Sequence, residues 1–349
     1  MTSSAPAPLG VVLVNWNGWA DTLECLESLL ASPHPLHVVV VDNDSADGSL
    51  GHIAAWARGE LAPPPPSRLS PPQEPPPKPL PKPLPCTLLD AVAARAPGAM
   101  AGPGLTLVQS GANLGFAGGN NIGLRLLMAR PDVSLFWLLN NDTVVAPDAV
   151  PALVGTMTAD PAIGMCGTVV RFYHRPDRVQ AMNGSRFSVW TGQSRGIGAG
   201  MAADTGFDAA RIARQTDYVL GASLATSRAF LTQTGLMEEG YFLYYEEIDW
   251  AVRNRRAPRP FATGFAGQAI VYHKEGGSIG SSSRQGARSA LADYWLCRSR
   301  LAFIRRHYPA LLPLHWLLTL ALIGRRLVRG QPQKAKLLLR ALFARPFST

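Results

Sequence analysis

Short apolar runs that end in polar clusters recur along this chain, separated by stretches with helical spacing. Leu9–Asn15 is apolar and rich in valine, and it ends in Asn15-Trp16-Asn17-Gly18. It reads as a buried strand and a turn. Asp21–Ala31 sets Leu23, Leu26, Leu29 and Leu30 at helical spacing, and His37–Val41 (HVVVV) is a second strand ending in Asp42-Asn43-Asp44-Ser45. Strand, helix and strand in so short a span form a βαβ unit of a parallel sheet. The pattern next predicts a helix over Leu50–Arg58, started by Ser45 or Asp47 as a cap, and a strand over Leu105–Gln109. A run of glycine and asparagine from Gly111 to Gly123 then leads into a helix over Ile122–Met128.

The most informative run is Phe136–Thr143, FWLLNNDT, with Leu135 before it. Apolar residues form a short buried strand that ends in Asn140, Asn141 and Asp142. In open α/β sheets, ligands sit outside the carboxyl ends of the strands. A carboxylate delivered there can hold a hard divalent cation, which prefers oxygen ligands and commonly bridges to phosphates. The same residues would also make an Asx-type turn with no ligand. Further on, the pattern gives a helix over Pro147–Thr158, strands over Gly164–Phe172, Tyr218–Ala225 and Phe265–His273, and no defined structure for Val179–Thr205.

Two segments interrupt this rhythm. Pro63–Pro85 holds 13 prolines in 23 residues. Such a stretch supports neither helix nor ladder and reads as a solvated, polyproline-like insertion, with flanks carrying it over 62–104. The C-terminal region, 281–349, is helical over Leu291–Tyr308 and carries an apolar run, Leu311–Ile323, followed by a basic amphipathic helix, Lys334–Arg345. The apolar run is shorter than the about 20 residues a membrane span needs, so the tail is expected to lie on an anionic membrane face. A helix packed on the body with a solvated basic side is the plainer alternative.

Charge supports that division. The chain carries a formal net charge of +9, but 13 of its Lys and Arg lie from Arg284 onward, against one acid, Asp293. The remainder is slightly acidic, and no zinc-finger spacing or aromatic RNA-binding signature accompanies the basic tail, so no nucleic-acid partner is expected. Cys25, Cys86, Cys166 and Cys297 are far apart, which suits reduced thiols. MTSSAPAPLG has no basic segment ahead of an apolar run, so no signal peptide is expected and a cytoplasmic location is.

The remaining chemistry lies in EEGYFLYYEEIDWAVRNRR, Glu238–Arg256, and in His273. Glu246, Glu247 and Asp249 open a helix, where acids complement the dipole, and one of them is also placed to act as a general base. His273 stands at a strand's end before Gly276-Gly277, a better position for a ligand than most. The glycine run does not fit the dinucleotide fingerprint, although glycines let a backbone approach a ligand and a helix N-terminus favours an anion.

Five segments in order, VNWNG, VDNDSADGS, GANLGFAGGNN, LLNNDT and YFLYYEEIDWAVR with His273 after it, resemble family 2 glycosyltransferases of the GT-A fold. Bacterial rhamnosyltransferase-like and galactofuranosyltransferase-like members are the nearest in pattern. The resemblance implies an α/β catalytic domain over 1–280, with a mostly parallel sheet flanked by helices, and an inverting transfer from a nucleotide-sugar donor to a glycan or lipid-linked acceptor. It places Asp42 at the nucleotide base and Asn140-Asn141-Asp142 at the DxD motif, with Asn140 in place of the first acid. Donor contacts are expected from Asn17, Asp42, Asn43, Asn113, Gly115, Gly118, Asn120, Asn140 and Asn141. Asp142 and His273 would hold Mg²⁺ or Mn²⁺. Glu247 falls where the family has an Asp as catalytic base, with Asp249 in reserve. The tail LCRSRLAFIRRHYP also looks like that group, and the apolar run and basic helix after it put the expected location at the inner face of the cytoplasmic membrane. A sugar-phosphate nucleotidyltransferase is the first rival; it would show a basic Gly-rich loop after the first strand, where this chain has VNWNGWADT. A non-catalytic nucleotide-sugar-binding protein is the second, kept open by Asn140 and Glu247.

Overall fold

The structure is a computed structural model that describes residues 6–65, 71, 79–102, 104–275 and 289–344. The chain opens with β1 (Leu9–Asn15), α1 (Trp19–Leu30), β2 (Leu36–Asp42), α2 (Ser49–Arg58), β3 (Cys86–Leu89) and β4 (Gly104–Gln109). It continues through α3 (Gly115–Met128), β5 (Leu135–Asn140), β6 (Thr143–Val145), α4 (Ala149–Ala159) and β7 (Ile163–Phe172). Then come β8 (Arg175–Met182), β9 (Gly184–Ser188), β10 (Gln193–Gly196), α5 (Ala209–Gln215), β11 (Tyr218–Val219) and β12 (Ser223–Ser227). The last elements are α6 (Arg228–Thr234), α7 (Glu246–Arg255), β13 (Ala262–His273), α8 (Ala290–His307), α9 (Leu312–Val328) and α10 (Pro332–Leu342).

Among the described residues ten strands form one sheet, ordered β3-β4-β2-β1-β5-β12-β7-β13-β6, with β8 paired to β7. From β3 to β5 every pairing is parallel. β12 runs antiparallel between β5 and β7. The inner parallel strands, β1, β2, β4 and β5, are buried on both faces, which is why their sequences are rich in valine and leucine. One face packs α1, α2 and α4 through Leu23, Leu26, Ile53, Trp56 and Leu153. The other packs α3, α6 and α7 through Leu124, Leu127, Phe230 and Trp250.

Several expectations change here. The helix expected from Ile122 begins at Gly115, so the glycine run is largely helical. Glycine costs a helix about 1 kcal/mol per residue relative to alanine. The cost is offset by a close approach: a Cβ on Gly119 would sit 2.8 Å from Val14, and one on Gly123 2.5 Å from Val12. Val179–Thr205, left without structure by its composition, holds part of β8 together with β9 and β10. The strand expected over Tyr218–Ala225 breaks into β11 and β12 around Gly221. The last helix ends at Leu342 and starts at Pro332.

The insertion also ends earlier than its composition suggests. Cys86–Leu89 pairs in parallel with β4 and forms one edge of the sheet. Leu84 N–H donates to Ala57 O at 2.8 Å, and the Lys82 ammonium lies 3.2 Å from the centroid of the Trp56 ring. Leu80 and Leu84 pack on the core beneath α2. A four-residue strand at an edge needs few ladder bonds, so the prolines before it do not prevent it. The remainder of the proline-rich stretch, 66–70 and 72–78, lies outside the described residues. Replacing 66–78 with a short Gly/Ser linker should leave Tm within about 2 °C of the parent. Extending the replacement through Pro85 should lower Tm measurably, because it removes Leu80, Lys82 and Leu84 from α2. Equal melting of the two variants would show that these contacts stabilise nothing.

Candidate active site

The site forms where the chain turns from β5 into β6. β5 lies between β1 and β12, whereas β6 crosses to the far edge and pairs antiparallel with β13, Thr143 opposite His273. Lys274 N–H donates to Asp142 O at 3.0 Å and extends that ladder. This register brings Asp142 Oδ1 to 3.2 Å from His273 Nε2, with both residues buried. His273 Nδ1 lies 2.9 Å from Gln180 Oε1, an acceptor, so it carries the proton and leaves Nε2 to face the carboxylate and Asn140 Nδ2 at 3.3 Å. Burial works against charge on His273, but Asp142 more than reverses this and raises its pKa.

These two groups fit a divalent cation. Neighbouring ligands on a cation with bonds of about 2.1 Å stand about 3 Å apart, close to the spacing of this pair. Gln180 fixes the imidazole as an outer-shell partner should. Among the described residues no group of three or more His, Cys, Asp or Glu side chains gathers to hold a metal, so the protein offers this pair and a ligand's oxygens would complete the shell. The neighbouring cation, Lys274, is held by Asp21 and Glu24.

The other expected donor contacts are engaged with the protein. Asp42 is 1% exposed, and its carboxylate accepts from Asn15 Nδ2 (2.8 Å), Ser45 Oγ (2.6 Å), Ser45 N–H (3.2 Å) and Gln109 Nε2 (3.2 Å). Four donors occupy its acceptor capacity, so a base N–H would have to displace Ser45 or Gln109. Asn43 donates to Asn113 Oδ1 and Gly115 O and accepts from Leu114 N–H, tying β2 to the start of α3. Asn120 donates to Phe116 O, and Asn141 donates toward Asn15, Gly18 and Thr22. Asn17 is exposed and holds Ala46 N–H at the mouth of the β1 and β2 loops. Gly118 lies inside α3, where a Cβ would meet that of Leu114 at 2.6 Å. At Gly115, φ is +70° and a Cβ would stand 2.1 Å from Phe242 O. The glycine there admits another stretch of this chain rather than a phosphate.

That stretch is under strain. Phe242, Tyr244 and Tyr245 have φ of 60°, 68° and 77°, a conformation that costs aromatic residues about 1–3 kcal/mol each. It is held from several sides. Phe116 N–H donates to Phe242 O (2.8 Å), Tyr245 OH to Gly192 O (2.7 Å), and Phe242 stacks on Trp295 with centroids 4.4 Å apart. Ser299 Oγ lies 3.0 Å from Tyr241 O and 2.8 Å from Leu243 O. The strained turn delivers Glu246 and Glu247 to the start of α7.

The acids of α7 then separate in role. Asp249 is fully buried and is bound by Arg253 Nε (2.6 Å), His307 Nε2 (2.6 Å) and Tyr241 OH (2.9 Å). Burial would raise its pKa, but the His307 hydrogen bond and the Arg253 charge bring it below the ordinary range. It is a bracket between α7 and α8 and has no free oxygen to act as a base. Glu246 is 1% exposed with Oε1 unpartnered, and burial, then the charge of Glu247, push its pKa well up. Its neutral form is favoured. Glu247 is half-buried and its pKa is also raised by burial, opposed by the N–H groups of Glu247 and Gly221. Its Oε1 lies so close to Gly221 that a Cβ there would be 2.0 Å away. Ala222 O, the next carbonyl, receives Asn140 N–H at 3.1 Å. The candidate base and the strand end carrying Asp142 are therefore joined through two residues, Gly221 and Ala222.

Residues 89–207 match the family Glycosyl transferase family 2. The match spans about a third of the chain. The chain's fold is shared with solved GT-A glycosyltransferases. One is the mannosyltransferase PcManGT from Pyrobaculum calidifontis, solved with GDP-Man and Mn²⁺, at 16% identity and TM-score 0.50 over 97% of this chain and 86% of that one. Another is GalNAc-T7, solved with UDP, GalNAc and Mn²⁺, at 12% identity and TM-score 0.53 over 86% of this chain and 48% of that one. At such identities the likeness is one of fold. No curated protein matches the chain by sequence. The match over 89–207 and the shared fold both support a glycosyltransferase reading.

Sequence reasoning brought Asp142, His273 and Glu247 forward but missed Gln180, Gln109, Gly221 and Ser299. Each of the four acts through a contact distant in sequence, and none stands in a motif. Two outcomes are expected of this protein. Asp249→Asn should destabilise it by about 3–5 kcal/mol, since it leaves Arg253 and His307 without their anion. Because the folded pKa is depressed, that stabilisation holds above the unfolded value of about 3.9 and is lost as pH falls through the folded value. Denaturation of both proteins across acidic pH should therefore show the gap narrowing; a gap constant with pH would assign the loss to packing alone. Gly221→Ala should push aside the flexible end of Glu247 while sparing the fold. Its Tm should stay near the parent's while kcat falls about a hundredfold, and unchanged kcat would place the base elsewhere.

Proposed function

We propose that this glycosyltransferase moves a sugar from a nucleotide-diphosphate sugar to an acceptor hydroxyl with inversion, using Glu247 as general base. The observation that carries the reading is the junction at Gly221-Ala222, which joins the Glu247 carboxylate to the strand end bearing Asp142. In the transfer, the acceptor oxygen forms a bond to the anomeric carbon as the bond from that carbon to the diphosphate oxygen breaks. The acceptor's proton passes to Glu247. One displacement needs one base and no carboxylate nucleophile. Glu246 remains protonated beside Glu247 and adds no second negative charge. Asp142 and His273 would hold Mg²⁺ or Mn²⁺, which supplies Lewis-acid charge to the diphosphate when bound.

The order of motifs favours a dTDP-rhamnose-like or UDP-sugar donor and a cell-surface glycan or lipid-linked acceptor. The two neighbours hold different nucleotides, a guanosine and a uridine diphosphate species, so fold does not choose between bases. Release of nucleoside diphosphate from a panel of nucleotide-sugars would identify the donor and separate an enzyme from a binding protein.

Glu247→Gln keeps shape and removes basicity. It should lower kcat by about 10²–10⁴-fold with donor affinity nearly unchanged. Burial raises the pKa of Glu247, so the base is silenced at low pH and kcat should climb with pH along a limb above the usual carboxylate value of about 4.3. The limb should vanish in the Gln variant. Wild-type turnover in that variant, or an acid limb that survives in it, would remove Glu247 from the reaction.

A further inference from the structure

The C-terminal helices leave an apolar face uncovered. On α9, Leu314, Leu317, Leu320, Leu327 and Val328 point outward at helical spacing, exposed by 36%, 64%, 47%, 55% and 90%. Phe343, just past α10, adds a further exposed ring. The same C-terminal helices expose basic residues: Arg305 on α8, Arg325 at the end of α9 with Arg329 just past it, and Lys336 and Arg340 on α10. No acid occurs anywhere in α9 or α10. Apolar residues accompanied by cations complement an anionic bilayer surface, where each Lys or Arg near the headgroups adds about 1 kcal/mol.

Length alone would allow a different arrangement. Pro309–Val328 is helical over 20 residues, enough by length and composition to cross a bilayer, and longer than the apolar run suggested. The inner side of α9 argues against crossing. His315 is fully buried, and its Nε2 donates to Val189 O at 2.9 Å. Thr319 is fully buried and accepts from Arg300 Nη2 at 2.7 Å, and Arg326 Nη2 donates to Asp293 Oδ2 at 2.7 Å. α10 closes the other side through Leu338, Ala341 and Leu342, which pack on Cys297 and Leu301. Drawing α9 into a bilayer would break these bonds and leave Asp293 without its main cation, a heavy cost for a buried charge.

A second chain segment extends the face. Trp190, at the tip of the β9–β10 hairpin, is 63% exposed, next to the Val189 carbonyl that binds His315. Tryptophan favours the headgroup level of a bilayer. The same hairpin accepts Tyr245 OH at Gly192 O, two residues before Glu247. We propose that Trp190 and the outward leucines of α9 form one interfacial face that seats this protein on an anionic membrane, with α9 lying in the membrane plane and the active site held beside the surface. An acceptor anchored in lipid then reaches the base without leaving the bilayer.

Vesicle binding tests this without reference to turnover. The full chain should sediment with phosphatidylcholine vesicles containing about a third phosphatidylglycerol, and release as salt rises. Trp190→Ala and the double variant Leu317→Glu, Leu320→Glu should each weaken binding by about tenfold or more at unchanged Tm. Bound protein should be removed from the vesicles by alkaline carbonate. Carbonate resistance with equal binding to pure phosphatidylcholine in high salt would indicate a spanning helix and overturn the proposal. Failure to bind, or a dimer in solution abolished by the double variant, would overturn it too, because a second copy or solvent would then cover the face.

Discussion

The register of β6 on β13 is the constraint on which the site depends. Sequence separates Asp142 from His273 by more than a hundred residues, and only the antiparallel pairing of Thr143 with His273 brings them to 3.2 Å. A slip of one residue would turn either side chain to the opposite face of the sheet. The register is secured by burial, since Val144, Val145 and Val271 are nearly inaccessible and pack into the sheet's flanks. The Lys274–Asp142 backbone bond continues the ladder beyond the last strand residue. Lys274 itself is held by Asp21 and Glu24 of α1, so a third element reinforces the same corner. The cation site proposed for this pair would need this rigidity, because two protein groups leave no further ligand to average out an error in position.

A second constraint opposes the first and is resolved by backbone contact. The turn before α7 is strained at three aromatic residues, yet it must hold Glu247 against Gly221. Glycines at 115 and 221 allow the close approaches, and Ser299 supplies one hydroxyl proton to two carbonyls of the turn. Strain of this kind persists only where neighbours over-determine it. Those neighbours come from α3, the β9–β10 hairpin and α8. Glu247 is thus positioned by segments spread over nearly two hundred residues of sequence, and α8 helps to build the candidate site as well as leading into the tail.

This explains which parts were legible in the sequence. Valine-rich runs ending in Asn and Asp identify buried parallel strands, because burial on both faces requires that composition and turns require those residues. Strand ends drew attention to Asp142 and His273 in the same way, whereas Glu247 was picked out by the resemblance to a family pattern. What escaped was anything decided by a distant partner. Asp42 resembles a free ligand group until Asn15, Ser45 and Gln109 are seen around it. Gly115 resembles part of a phosphate loop until Phe242 O is found in its path. Asp249, two residues from Glu247, has the same chemistry on paper, and only the convergence of Arg253, His307 and Tyr241 makes it structural.

The neutralisation of Glu246 has a mechanistic consequence for Glu247. Two adjacent carboxylates at a helix start could both be charged in water, but one of these has an oxygen with no partner and almost no exposure. Ionising it would place a bare charge in a low-dielectric region, so the proton remains there and the more accessible Glu247 ionises first. Glu247 keeps backbone N–H partners that stabilise its anion, whereas Glu246 has its neighbour's charge against it. Burial, mutual charge and the backbone partners of Glu247 together favour the neutral form at Glu246 over that at Glu247. Replacing the expected aspartate by glutamate at 247 lengthens the side chain by one methylene, and the missing Cβ at Gly221 gives that longer arm room to lie back against the strand.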